Sequence, residues 1–246
     1  MRWTMTVMAV GLALGILASG AHGYWDESMG HKMHYPQFPD PFGWDVNISA
    51  GCIVADDWKC SESGLVKDVH FWASWERDQE VPIGAIHVGI FSNVPETDTD
   101  PSHPGEMLWD RWFQSDEFSI HPGGEGDQGW YDPCNEYYVK PDHTKYFQVN
   151  IVRIKDPFIQ KEGEIYWLAL NVNIAGDGLM GWKTSRDKFM DDAAYLPAAG
   201  GNWIELIDPI TGESLDMAFV ITPEPGTITL MILGGLGMLI RRRRRR

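Results

Sequence analysis

Several signatures that would name an enzyme are missing from this sequence. It has no CxxC pair, which removes the usual mark of thioredoxin-like chemistry and of paired-cysteine zinc sites. It has no HExxH for zinc hydrolysis and no GxSxG for a serine nucleophile. Cysteine itself is scarce, at positions 52, 60 and 134 only. Positive charge is scarce too: setting aside Arg2 and the six terminal arginines leaves 13 Lys+Arg against 35 Asp+Glu, a net charge of −22. A surface that acidic makes nucleic acid a poor partner. No amphipathic helical stretch stands out and no repeat period is evident, which disfavours bundles, propellers and solenoids.

What the chain does have is tryptophan, twelve in 246 residues, and many short apolar stretches separated by Gly, Pro and Asp. Ile86, Val88 and Ile90 share one face of a strand, as do Tyr166, Leu168, Leu170 and Val172. Strands are predicted over 51–55, 66–75, 85–91, 107–114, 117–121, 146–154, 165–174, 181–184, 203–207 and 215–221. Loops are expected at 92–105 and 121–128. This pattern predicts an all-β fold, a single antiparallel β-sandwich of jelly-roll type. Its expected span is 50–222, preceded by an extended surface segment at 24–49.

Both ends read as addresses. Arg2, the apolar run 5–17 and the small residues Ser19, Ala21 and Gly23 predict a secretory signal peptide over 1–23. At the other end, Pro223-Glu224-Pro225 precedes an uncharged run over 226–240 and then Arg241 to Arg246. As a helix that run is about 22 Å long, shorter than a bilayer core of about 30 Å, so it predicts a short transmembrane helix and a transient inner-membrane anchor. The arginines stay cytoplasmic by the positive-inside rule. These three parts, over 223–246, resemble the PEP-CTERM sorting signal. The resemblance implies processing by an exosortase after signal peptidase has acted, and delivery to the cell surface or an extracellular matrix.

The middle of the chain also resembles a family. Asp56-Asp57-Trp58, Phe71-Trp72-Ala73-Ser74-Trp75, Gly129-Trp130-Tyr131-Asp132, Tyr166-Trp167-Leu168 and Gly181-Trp182-Lys183 look like the markers of an uncharacterised Trp-rich domain of secreted bacterial proteins. That resemblance implies one domain and carries over no catalytic residue.

The candidate chemistry is therefore read from residue types. Glu76, Asp78 and Glu80 have the spacing of a glycosidase strand, but Arg77 and Gln79 between them point to a solvated turn. Asp98, Asp100 and Glu106 lie on or beside one acidic loop and are candidate ligands for a structural calcium, with Asp56-Asp57 and Asp191-Asp192 as further oxygen donors. Cys52 and Cys60 could close a short disulfide loop if their Cα atoms come within about 7 Å. Sugar rings stack on exposed aromatic faces, and Trp44, Trp109, Trp130, Trp182 and Trp203 fall near loops or strand ends where such a platform could form; the competing reading places them in the core. The leading expectation is a non-enzymatic exported protein that binds extracellular polysaccharide. A divergent carbohydrate-active hydrolase and a purely structural envelope protein are the alternatives.

Overall fold

The computed structural model describes residues 24–222 apart from 32, 34, 50, 198 and 199; the signal-peptide and sorting-signal readings lie outside the described residues. No helix among the described residues is long and apolar enough to cross a membrane. The fold is all-β. Its strands are β1 (Trp44–Asn47), β2 (Ile53–Lys59), β3 (Gly64–Leu65), β4 (Asp68–Trp75), β5 (Ile83–Val94), β6 (His103–Gln114) and β7 (Phe118–Asp132). They continue with β8 (Tyr137–Ile151), β9 (Ile159–Gln160), β10 (Ile165–Ile174), β11 (Met180–Lys183), β12 (Ala194–Leu196), β13 (Ile204–Glu205) and β14 (Phe219–Thr222).

Two six-stranded sheets carry the domain. One runs β11-β1-β7-β8-β4-β14, the other β13-β12-β2-β10-β5-β6. In the first sheet β11 also pairs with β4, so β11, β1, β7, β8 and β4 close into a five-stranded, barrel-like ring. Within it β1 and β7 run parallel. The expectation of a purely antiparallel sandwich is corrected at these two points: the pairing of β1 with β7 follows from ring closure, which no local alternation of side chains encodes.

One hydrophobic core draws on both sheets. Val69, Phe71 and Ala73 of β4 join Val149 and Ile151 of β8 on one side, and Val54 and Trp58 of β2 join Leu168 and Leu170 of β10 on the other. Trp58 meets Phe219 edge-on across the gap, with ring centroids 6.2 Å apart. The alternate residues of β4 and β8 face the other way, and four of them are polar yet buried, His70, Ser74, Gln148 and Asn150, with the buried Trp72 indole on the same face.

The segment 121–128, expected to be a loop, lies inside β7. Pro122, Gly123 and Gly124 form an irregular stretch in the register between β7 and β8. A Cβ on Gly123 would stand 2.7 Å from the ring of Tyr146, so glycine here admits an aromatic side chain that lies flat over the strand.

The disulfide joins Cys52 to Cys134, with Cα atoms 6.1 Å apart, and Cys60 is a buried cysteine outside that bond. The proposed Cys52–Cys60 loop is therefore corrected. Those two residues flank the extended strand β2, and eight residues of strand span roughly 26 Å, far beyond disulfide reach.

Candidate functional site

The polar face of the ring builds the candidate site. Trp72 on β4, Gln148 on β8 and His121 on β7 are direct cross-strand neighbours and form one row. The first described residues lie across that row. The Trp25 N–H donates to Gln148 Oε1 at 2.8 Å, and Gln148 Nε2 donates back to the Trp25 carbonyl at 2.8 Å. This paired amide contact holds the segment as a neighbouring strand would. Trp25 stacks on Phe38 (5.9 Å) and meets the edge of Trp72 (6.2 Å), while Tyr24 leans on His121 (6.0 Å).

Between these groups lies a cleft of about 410 Å³. The rings of Tyr24, Trp25, Phe38, Trp72 and Tyr146 line it, with Gln148, Asp26, Glu27 and Arg186 as its polar groups. Arg186 sits over the Phe38 ring at 5.5 Å. His121 Nε2 is buried with no hydrogen-bond partner among the described residues. A second cleft, of about 430 Å³, includes Arg111, Arg153 and Lys155, but the Arg111 guanidinium is already occupied by Glu117 and the Lys155 carbonyl.

Beneath Tyr146 the ring encloses a chain of charges with no access to solvent. Lys183 Nζ lies 3.0 Å from Asp45 Oδ2, and the same oxygen takes His143 Nε2 at 2.9 Å. His143 Nδ1 faces Asp142 Oδ2, also at 2.9 Å. Lys183 Nζ stands 5.4 Å from the centre of the Tyr146 ring, which ties this chain to the cleft wall. Burial alone would push His143 down, but Asp45 and Asp142 outweigh it and hold its pKa above the ordinary value. Burial pushes Asp45 up, and Lys183 and His143 more than reverse it. Burial pulls Lys183 below the usual amine range against the attraction of Asp45. The arrangement suits a structural ion network, because the Asp45, His143 and Lys183 side chains are fully enclosed.

Three of the five tryptophans expected to stack on sugar are enclosed, which corrects that expectation. Trp44 is walled by Tyr131, Tyr138 and Lys140 and donates to Asp208. Trp130 lies against His143, and Trp182 packs between Phe71 and Phe219. Each is at most 2 % exposed, so none can offer a face to a ligand. Trp109 and Trp203 are half-buried, bonded to the Asp156 carbonyl and packed on Phe91 respectively. None of the five lines the aromatic cleft.

Asp98 and Asp100 sit in an exposed turn in which Thr97 N–H donates to the Asp100 carbonyl, while Glu106 is on β6. Among the described residues no three His, Cys, Asp or Glu side chains are gathered as a metal ion would require, so these acids do not form the expected calcium site. Glu76 to Asp78 form a short 3-10 turn, and Asp78 accepts hydrogen bonds from Thr144 and Lys145.

Comparison with known proteins adds a family and no activity. Residues 33–222 match the family model described as a domain of unknown function, DUF7901. No curated protein and no solved structure matches.

Proposed function

The chain belongs to the DUF7901 domain family, and from that premise we propose that it is an exported, non-enzymatic protein that binds carbohydrate in the aromatic cleft. The observation that carries this reading is the composition of the cleft: several aromatic rings around an amide, two carboxylates and a guanidinium. Tyr24 and Phe38, the cleft rings that are not buried, supply flat apolar surface for the faces of pyranose rings over a floor of Trp25, Trp72 and Tyr146, and the polar groups match sugar hydroxyls. Export by the 1–23 signal and sorting by the 223–246 tail would deliver the domain to the cell surface or matrix, where polysaccharide is the abundant ligand. Exosortase, signal peptidase and a transient stay in the inner membrane belong to the same proposal.

The test is binding of the purified protein to immobilised bacterial polysaccharides and a glycan array, repeated with Tyr24→Ala, His121→Ala and Trp112→Ala. Tyr24 is 42 % exposed, so its removal leaves the core intact. Loss of one stacking ring is expected to weaken binding about tenfold, the equivalent of roughly 1.4 kcal/mol. Trp112 is also exposed but lies on β6 in the other sheet, stacked on His87, and its loss should change nothing. Equal effects at Tyr24 and Trp112 would remove the cleft from consideration, and release of reducing ends would replace binding by hydrolysis. Intact-mass measurement of the mature protein tests the sorting step: a product that keeps Arg241 to Arg246 contradicts exosortase processing.

A further inference from the structure

Most polar groups of the aromatic cleft are already used inside the protein. Both ends of the Gln148 amide are taken by the Trp25 backbone. Asp26 Oδ1 accepts from the N–H and the hydroxyl of Ser28. Glu27 is exposed, and water solvates its carboxylate. Two further groups are open to a ligand. His121 Nε2 is buried with no hydrogen-bond partner among the described residues, and it donates whenever the ring carries its proton there. The other is the guanidinium of Arg186.

The backbone around Arg186 is fixed while its side chain stays free. The Phe38 carbonyl takes the Arg186 N–H at 3.1 Å and the Ser185 hydroxyl at 2.8 Å, and the Phe38 N–H donates to Asp187 Oδ2 at 3.3 Å. Three successive residues, 185–187, are thereby stitched to the segment before β1. The guanidinium comes to rest over the Phe38 ring, 5.5 Å from its centre. Such stacking uses the flat face of a guanidinium and leaves the N–H groups in its plane for other partners. Arg186 Nε lies 3.8 Å from Asp187 Oδ2, a loose pair with the arginine side chain 57 % exposed. Neither Nη group has a hydrogen-bond partner among the described residues.

Paired N–H groups in one plane are the geometry that a carboxylate meets with both of its oxygens. We propose that the sugar bound in this cleft is acidic, a hexuronate whose carboxylate takes the Nη groups of Arg186 while His121 Nε2 bonds a second part of the same ligand. This rests on the carbohydrate reading of the cleft and adds the charge of the sugar. The local field agrees: burial raises the pKa of the Tyr146 phenol in the cleft wall, and the positive charge of Arg186 works against that rise. The protein as a whole sets the opposite constraint. With Arg2 and the six terminal arginines set aside it carries 13 Lys+Arg against 35 Asp+Glu, so it repels a polymer charged on every unit. One carboxylate among neutral sugars avoids that repulsion and still meets Arg186. The ligand class is therefore a mostly neutral heteropolysaccharide with interspersed uronates.

The probe is an oligosaccharide of neutral hexoses bearing one glucuronate. Calorimetry compares it with the same oligosaccharide after carbodiimide activation and borohydride reduction, which turns the glucuronate into glucose. The acidic form is expected to bind the wild-type protein about tenfold more tightly or better. Arg186→Gln should bring the two forms within about twofold of each other. Arg186→Lys should keep only part of the preference, because an ammonium lacks the planar fork. Arg153→Gln, in the other cleft, should keep all of it. Equal binding of both forms by the wild type, weakened alike by Tyr24→Ala, would overturn the acidic class and leave the carbohydrate reading standing. Binding of neither form would also overturn it, and a blank glycan array beside that result would remove the carbohydrate reading as well. A preference that survives Arg186→Gln, or that disappears in Arg153→Gln, would place the carboxylate elsewhere and sink the proposal.

Discussion

With Lys183 replaced by methionine, the domain is expected to lose about 3–5 kcal/mol of stability, the usual consequence of leaving a buried charge without its partner. For a domain of this size that corresponds to a fall in unfolding temperature of roughly 6–20 °C. Lys183 and Asp45 are both fully enclosed, and Asp45 already has one oxygen, Oδ1, without a hydrogen-bond partner among the described residues. Once the lysine is gone, that carboxylate depends on His143 alone. The companion variant decides whether the pair or the space matters: Lys183→Met combined with Asp45→Leu should recover a large part of the loss, because removing both charges leaves no orphan. A double variant as unstable as the single one would mean that volume, not charge, dominates.

The same network sets a pH dependence of its own. His143 lies between two carboxylates and its pKa is raised in the fold. Its contribution is therefore complete below the unfolded histidine pKa of about 6.5 and is lost as pH rises through the higher folded value. The wild-type unfolding temperature should fall over that window. His143→Gln should flatten the slope, and an unchanged slope would show that the imidazole is neutral at its position.

How much of this was legible in the sequence depends on whether a feature is local. Strand β10 is found where its alternation places it, over 165–174, because Tyr166, Leu168 and Leu170 face a core that sets the period. The irregular part of β7 was not legible: Pro122-Gly123-Gly124 has the composition of a turn, and only the Tyr146 ring on the next strand explains it. Burial of Asp45 and Asp56 ran against the default for charged residues, because their partners Lys183, His143 and Met217 lie far along the chain. The cleft was hidden for the same reason. Its anchor is an amide pair between Trp25 and Gln148, 123 residues apart, and the segment that supplies Trp25 reads as a proline-rich surface run. Tryptophan content announced an aromatic protein but could not say which rings face inward, since Trp44, Trp130 and Trp182 sit near strand ends and are nevertheless enclosed by the ring and by neighbouring segments.

The disulfide shows the same limit and carries the second large effect. Three cysteines allow three pairings, and closeness in sequence favours 52 with 60, yet β2 between them is extended. The bond observed closes 82 residues instead, from the entry to β2 in one sheet to the turn after β7 in the other. On chain-entropy grounds a loop of that length contributes about 4.5 kcal/mol, close to the top of the range seen when native disulfides are removed. Cys52→Ser with Cys134→Ser should therefore lower the unfolding temperature by roughly 9–18 °C. Cys60→Ser should matter much less, because it cuts no cross-link and the hydroxyl can keep the bond that the thiol donates to the Glu62 carbonyl. Thiol counting checks the pairing before any variant is made. The native chain should show no reactive thiol, the denatured unreduced chain one, and the denatured reduced chain three. A non-reduced digest in which Cys134 is free and the peptides of Cys52 and Cys60 are linked would overturn both the pairing and the stability difference, because an eight-residue loop constrains the unfolded chain far less than one of 82.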